Sequence, residues 1–191
     1  MNILLGLTGS VATIVAKKLE QRLLEIGDVK TVATQSAAKI LYANDNDWNA
    51  DTDIVNALYD QDEWQWKKKG DVVLHVDLAE WADVLVIAPL SANTLGKIAN
   101  GICDNLLTCI YRCYSVDKPV VLAPAMNTNM WQHPSTDKCL KLIDANHNYR
   151  IYEPKCVIVG PAEKQLACGT FGIGAMADVE EIAKAVEKFR K

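Results

Sequence analysis

Three reactive side chains stand out in this sequence by their surroundings: Asn127, His75 and Cys168. Asn127 lies in VVLAPAMNTNMWQHP (120–134), where an apolar run ends in an amide flanked by Met126, Met130 and Trp131. An ordinary turn draws on Gly, Asp or Ser, not on this much apolar bulk. The mixture suits a site that holds something flat and apolar while hydrogen-bonding something polar. His75 ends the short apolar run VVLH. A lone histidine is more often structural than catalytic, yet an imidazole, with a reference pKa of about 6.5, suits proton transfer near neutral pH. Cys168 sits in LACGTFGIGAMA, inside a glycine-rich stretch. A thiol on a mobile flap reaches a substrate only on closure, as a gated proton donor would. A buried, inert cysteine explains the same residue equally well.

These residues need elements to carry them. NILLGLT (2–8) reads as a buried strand, followed by a helix whose apolar positions Val11, Ile14, Val15, Leu19, Leu23 and Ile26 recur at helical spacing, with Gly27 as its stop. VKTVAT (29–34) is a second strand and SAAKILYA opens a short helix. DVLVIAP (83–89) is a third strand, and the helical pattern after it breaks near Gly101. KPVVLAP (118–124) is a fourth strand, YRIYEP (149–154) a fifth, and DVEEIAKAVEKFRK a closing amphipathic helix. Continuously apolar strands alternating with helices predict a doubly wound α/β fold, a parallel sheet with helices on both faces in three αβα layers, Rossmann-like. The length predicts a single domain over 1–191. Two tracts lack periodicity. Residues 43–70 are acidic and tryptophan-rich, with Lys67, Lys68 and Lys69 as a solvated turn, and residues 155–177 read as a glycine-rich flap.

Ligands in such sheets bind beyond the carboxyl ends of the strands. The first exit, Gly9-Ser10, offers backbone N–H groups and a hydroxyl to an anion, although Ser10 could serve only as a helix cap. The second exit, Thr34-Gln35-Ser36, lacks the acidic residue that holds a ribose in dinucleotide folds, which argues against NAD. At the third exit Ser91, Asn93 and Thr94 converge with free amides. Phosphate-type exits beside the apolar walls Met126, Met130 and Trp131 point to a ligand part aromatic and part phosphorylated. FMN fits that description.

Composition narrows the partners. A net charge of −4 gives no support for nucleic-acid binding, which usually needs a basic face. There is no apolar run of membrane-spanning length, and the N-terminus lacks the basic region and cleavage site of a signal peptide. Six cysteines without CxxC pairs suit a reducing cytoplasm. Cys109 and Cys113 share a helix face, but no second ligand pair follows at zinc spacing, so no metal is expected and both read as small buried hydrophobes.

Three segments then resemble one family. HVDLAEWADVLVIAPLSANTLGKIANGICDNLLT, PAMNTNMWQHP and LACGTFGIGAMA are similar to the signatures of the homo-oligomeric flavin-containing Cys decarboxylases, over nearly the whole chain. The resemblance implies a lyase: FMN-dependent decarboxylation of 4′-phosphopantothenoylcysteine to 4′-phosphopantetheine, a coenzyme A precursor, in a cytoplasmic homotrimer with the flavin at the subunit interface. It implies His75 as base, Asn127 as the residue that holds the substrate carboxylate, and Cys168 as acid in the reductive half. It places Gly9, Ser10, Val11, Thr34, Ser36, Ser91, Ala92, Asn93, Thr94 and Ala125 at the flavin, and Asn127, Met130, Gln165 and Ala167 at the substrate. One departure concerns the residues before Cys168. Relatives often carry a basic residue two or three positions ahead of it, whereas Gln165 stands three ahead and Lys164 four ahead. Members of this fold also serve as phosphatase-regulatory or mixed-trimer subunits, as peptidyl-cysteine decarboxylases, and as flavin prenyltransferases. The joint presence of His75, Asn127 and Cys168, with an intact PAMN, weighs against each.

Overall fold

The computed structural model describes residues 1–43, 57–148, 155–165, 169 and 171–190. Its centre is a five-stranded, wholly parallel sheet of β1 (Asn2–Leu7), β2 (Asp28–Ala33), β3 (Val84–Leu90), β4 (Val120–Pro124) and β5 (Cys156–Ile158), in the order β2-β1-β3-β4-β5. A short antiparallel hairpin, β6 (Ala162–Gln165) with β7 (Phe171–Ala175), stands apart from it. The helices are α1 (Ala16–Leu24), α2 (Gln35–Ala43), α3 (Asp60–Glu63), α4 (Leu74–Trp81), α5 (Ala92–Ala99), α6 (Leu106–Cys113), α7 (Thr128–Trp131), α8 (Pro134–Asn148) and α9 (Val179–Glu187). The doubly wound expectation holds.

Strand alternation explains the layers. Successive side chains point to opposite faces. In β1, Ile3, Leu5 and Leu7 pack with Leu19 and Leu23 of α1 and Val179, Ile182 and Val186 of α9. Leu4, between them, packs on the other face with Leu78 of α4, Leu95 and Ile98 of α5, and Leu107 and Ile110 of α6. β3 and β4 divide in the same way, Val86 and Val121 to the first face and Ile87 and Leu122 to the second. A strand buried on both sides cannot show alternation in its sequence, which is why these read as unbroken apolar runs.

The structure corrects one local reading, that of two cysteines, and refines others. Gly27 follows the end of α1, and its N–H donates to the Leu23 carbonyl at 3.1 Å. A Cβ there would lie 2.0 Å from the Met1 carbonyl oxygen, so close backbone approach is what requires glycine. The expected strand at 149–154 lies outside the described residues, and β5 lies at the start of the 155–177 stretch. Farther along, the described residues of that stretch include the β6–β7 ladder. Cys113 is exposed and Cys109 half-buried, because α6 turns Leu106, Leu107 and Ile110 to the sheet and these two thiols away from it. The turn at Lys67–Lys69 is solvated and Gly101, at φ +72°, separates α5 from α6, both as expected.

α8 was not foreseen. Only Thr136, Cys139 and Ile143 of it are buried among its described side chains, too few for a clear helical stripe. Its signal was Pro134 at the first helical position, a place proline favours.

The hairpin is fixed to the sheet by Gly174. Its carbonyl accepts the Met126 N–H at 2.9 Å, its φ is +142°, and a Cβ would meet the Met126 carbonyl oxygen at 2.2 Å. The obstacle is backbone, which cannot turn aside as a side chain could. Gly174→Ala is expected to cost about 2–3 kcal/mol, combining strained φ with overpacking. Urea denaturation checks this, and an unchanged midpoint would refute it.

Candidate functional site

The chain changes direction of winding between β1 and β3. From β1 the crossover runs outward to β2 on one side, and β3 lies on the other. The connections that leave these two strands therefore diverge and open a crevice at their carboxyl ends. A cleft of about 1100 Å³ lies there, bounded by the exits of β1, β3 and β4, by the hairpin and by the start of α9. A smaller polar arm of about 240 Å³ adjoins it, and Gly9, Ser91 and Asn93 line both.

Each exit is built differently. After β1, a Cβ on Gly9 would sit 2.5 Å from the Ser36 Cβ, so glycine lets the exit lie directly on the first turn of α2. Ser10 is extended and its side chain makes no capping bond to the 3₁₀ turn Val11–Val15 that follows, which leaves the hydroxyl for the cleft. The cap-only reading of Ser10 is therefore set aside. Val11 is exposed and forms an apolar lip of the cleft.

After β2, the Thr34 hydroxyl accepts the Ala37 N–H at 3.3 Å and caps α2. Thr34 and Ser36 both line the polar arm. After β3, Ser91 is a true cap: its Oγ accepts the Thr94 N–H at 3.3 Å. Buried Thr94 and exposed Asn93 line the arm, and Ala92 lines the cleft. The arm is not wholly basic. Lys97 is paired with Asp104 at 2.6 Å, and Asp60 also faces in.

After β4, buried Ala125 leads to Asn127, the cap of α7, whose Oδ1 accepts the Asn129 N–H at 2.9 Å. Met130 is half-exposed, and its carbonyl is held by the Thr136 hydroxyl at 2.6 Å. Ala125, Met126, Asn127 and Met130 all line the cleft. Trp131 does not, contrary to expectation, because α7 turns it away from the lining that Met130 joins. From the hairpin come Lys164 and Gln165. Lys164 is ion-paired with Asp178, the cap of α9, and Gln165 Nε2 donates to the Gly169 carbonyl at 3.4 Å.

Thus the described flavin and substrate candidates do come together. Ala167 and Cys168 lie outside the described residues. His75 lines neither cavity. It is the second residue of α4, and its Nδ1 lies 2.6 Å from Glu63 Oε1.

The sequence reading missed two contributors. The first turn of α9, with Asp178, Glu180 and Glu181, walls the cleft and makes its outer edge acidic. A capping pattern marked that helix start, but only the topology brings it to the cleft. Glu63 was hidden in the acidic tract. Its thiol neighbour Cys109 is pushed up by burial first, then by Cys103 and by the Glu63 carboxylate. Burial also pushes the Cys156 thiol up to about 12, so it stays protonated and inert at neutral pH. Among the described residues there is no cluster of three or more His, Cys, Asp and Glu side chains that could hold a metal ion. No helix among them is long and apolar enough to cross a membrane.

The donor set fits FMN. Hydroxyls and amides line a small arm that meets a large, mainly apolar cleft with Ala92, Ala125, Met126, Met130 and Met176 on its walls. Comparison with known proteins agrees. Residues 1–191 match the Flavoprotein family profile. The chain is 44% identical over 188 residues to the mouse phosphopantothenoylcysteine decarboxylase, covering 97% of this chain and 85% of that protein. Among solved structures it resembles a PPC decarboxylase mutant complexed with pantothenoylaminoethenethiol, at TM-score 0.86 and 44% identity over 98% of this chain and 97% of the other. It also resembles the FMN binding protein AtHal3, at TM-score 0.83 and 43% identity over 98% and 95% of the two chains. The whole length being matched, at this identity and with the cleft where the fold places it, this chain belongs to the Flavoprotein family.

Proposed function

We infer that this chain is an FMN-dependent phosphopantothenoylcysteine decarboxylase, a lyase that yields 4′-phosphopantetheine for coenzyme A synthesis. One observation carries the reading. Asn127 and Met130 stand on the lip of a cleft that runs into a polar arm lined by Thr34, Ser36, Ser91 and Thr94. A flavin would be held by Gly9, Ser10, Val11, Thr34 and Ser36 on one side, and by Ser91, Ala92, Asn93, Thr94 and Ala125 on the other. The thiol substrate would lie against Asn127, Met130, Gln165 and Ala167. The relative bound to pantothenoylaminoethenethiol supports the substrate class.

When bound, FMN supplies acceptance and return of a hydride at the substrate's cysteinyl Cβ. The protein supplies position and protons. His75 takes the thiol proton, so that the thiolate and the Cβ–H together lose a hydride and become a thioaldehyde. The thioaldehyde accepts the electron pair freed as CO₂ leaves, giving an ene-thiolate. Asn127 orients the departing carboxylate. Binding it tightly would oppose its loss, so orientation is the useful function. Cys168 then donates the proton that accompanies hydride return, and the glycine-rich segment that carries it brings it to the substrate as a flap. Electrons balance within the substrate, so no external oxidant is needed.

His75 lines neither cavity of its own chain. This supports a homotrimer in which a neighbouring subunit completes each site, in a cytoplasmic setting that suits the free thiols. Light scattering at micromolar concentration should give three copies. A monomer with full activity would refute it.

The half-reactions separate by mutation. Cys168→Ser should still oxidise and decarboxylate, because His75, Asn127 and the cofactor remain. A serine hydroxyl is a far weaker acid than a thiol of reference pKa about 8.5. The cofactor should therefore stay reduced, and an ene-thiol lighter than phosphopantetheine by two hydrogens should accumulate. His75→Asn should leave the cofactor oxidised when substrate is added. Anaerobic absorbance and product mass read both. Normal product at the wild-type rate from Cys168→Ser would remove Cys168 as proton donor. A purified protein that takes up no FMN would remove the flavin reading altogether.

A further inference from the structure

One carboxylate grips His75 at two points. Glu63 Oε1 lies 2.6 Å from the ring Nδ1, and Oε2 accepts the His75 backbone N–H at 3.0 Å. The two side chains are only 28% and 16% exposed. Nε2 has no hydrogen-bond partner among the described residues.

The carboxylate is itself held in place. Glu63 ends α3, and that helix and the residues just before it are held by hydrogen bonds. Asp60 Oδ1 accepts the Leu106 N–H at 2.9 Å and so anchors α3 to the start of α6. Asp62 Oδ2 accepts the Tyr59 N–H at 2.7 Å. Leu58 bridges to Val32 of β2, its N–H donating to the Thr31 carbonyl at 2.8 Å and its carbonyl accepting from Ala33 at 2.9 Å. Among the described residues, Cys109 on α6 and His75 on α4 lie beside Glu63, and Asp60 and Asp62 share its helix.

We propose that Glu63 is the positioning residue for His75: it fixes the ring so that Nδ1 carries the proton and Nε2 presents its lone pair to the substrate thiol. The proposal rests on the reading of His75 as the base. An ionised carboxylate only accepts hydrogen bonds, so a neutral imidazole beside it must donate from Nδ1. A separation of 2.6 Å is shorter than an ordinary N–H···O bond, the direction in which a charged acceptor acts. The second oxygen fixes the rotation of the carboxyl group, since it is committed to a backbone N–H that helix α4 leaves unpaired at its second residue. No side chain of the preceding residue caps that helix. The ring is thereby clamped in the helix that carries it, and the nitrogen left over is the one that can reach out.

A capping role alone would be satisfied by any acceptor, and Glu63→Gln tells the two apart. The glutamine oxygen can still accept the backbone N–H, but its amide then faces Nδ1 as a donor. The ring must answer by moving its proton to Nε2, the wrong nitrogen for a base. In holoenzyme labelled with ¹⁵N histidine, at a pH where the ring is neutral, wild-type His75 should show a protonated Nδ1 and a bare Nε2. Glu63→Gln should show the reverse, with little change in thermal stability. Its rate of cofactor reduction by phosphopantothenoylcysteine should fall about 10- to 100-fold, the scale seen when a carboxylate that orients a metal-bound histidine is lost, with KM changing less. Glu63→Asp, which keeps an acceptor-only group, should recover part of that rate.

A wild-type enzyme with a bare Nδ1 overturns the proposal without any variant, so it survives even if Glu63→Gln fails to fold. A Glu63→Gln enzyme that keeps the wild-type rate also overturns it. If His75→Asn reduces the cofactor as fast as wild type, the assignment of His75 as base fails, and the positioning role falls with it. An inactive His75→Asn beside an unimpaired Glu63→Gln would remove Glu63 alone.

Discussion

The hydroxyl of Thr8 holds the switch point of the sheet together. The residue is wholly buried, immediately beyond β1. Its Oγ1 donates to the Pro89 carbonyl at 2.7 Å and accepts the Ser91 N–H at 2.8 Å, both from the end of β3. Its own carbonyl accepts from Ser10 N at 2.7 Å and from the Thr13 hydroxyl at 2.8 Å. Two backbone connections that must diverge to open the cleft are thus stitched at their roots. A valine of the same shape would leave two buried backbone groups unpaired, about 1–3 kcal/mol each. Both cavities share Gly9, Ser91 and Asn93, which lie on these two connections, so the cleft and its polar arm are spaced by this one hydroxyl.

A second fastening sets the far wall. The Met126 N–H binds the Gly174 carbonyl, and Gly172 packs so closely on Thr128 that a Cβ would lie 2.5 Å from its hydroxyl. The hairpin therefore rides on the same short segment that carries Asn127. Movement of the hairpin and the orientation of the amide are mechanically linked, while Lys164 joins the hairpin to Asp178 at the start of α9. The glycines of this stretch serve contact as much as flexibility, which is why composition alone read it as a loop.

The fold was legible wherever burial was complete on both faces. β1, β3 and β4 announced themselves as apolar runs, and the polar residues after them marked the crevice. The three-residue β5 was too short to separate from its surroundings, and α8 shows too little apolar surface. At the site, Ser10, Ser91, Asn93 and Asn127 could be read because a strand end predicts a ligand-facing position. Glu63 could not. Its contact with His75 spans 12 positions through a tract without periodicity, and only the fold brings the pair together. The same is true of the first turn of α9, which reads as an ordinary capped helix until the chain returns it to the cleft.

The bridge between Leu58 and Val32 has a consequence for solubility. β2 is an outer strand of the sheet, and an outer strand with unpaired backbone groups invites another chain to add to it. Leu58 occupies part of that rim by pairing with Thr31 and Ala33. At the opposite rim, β5 is only three residues long and offers little to template on. The segment that shields the β2 rim is also the segment that delivers Glu63 to His75. Protection against self-association and alignment of the imidazole are therefore one and the same constraint on this stretch of chain.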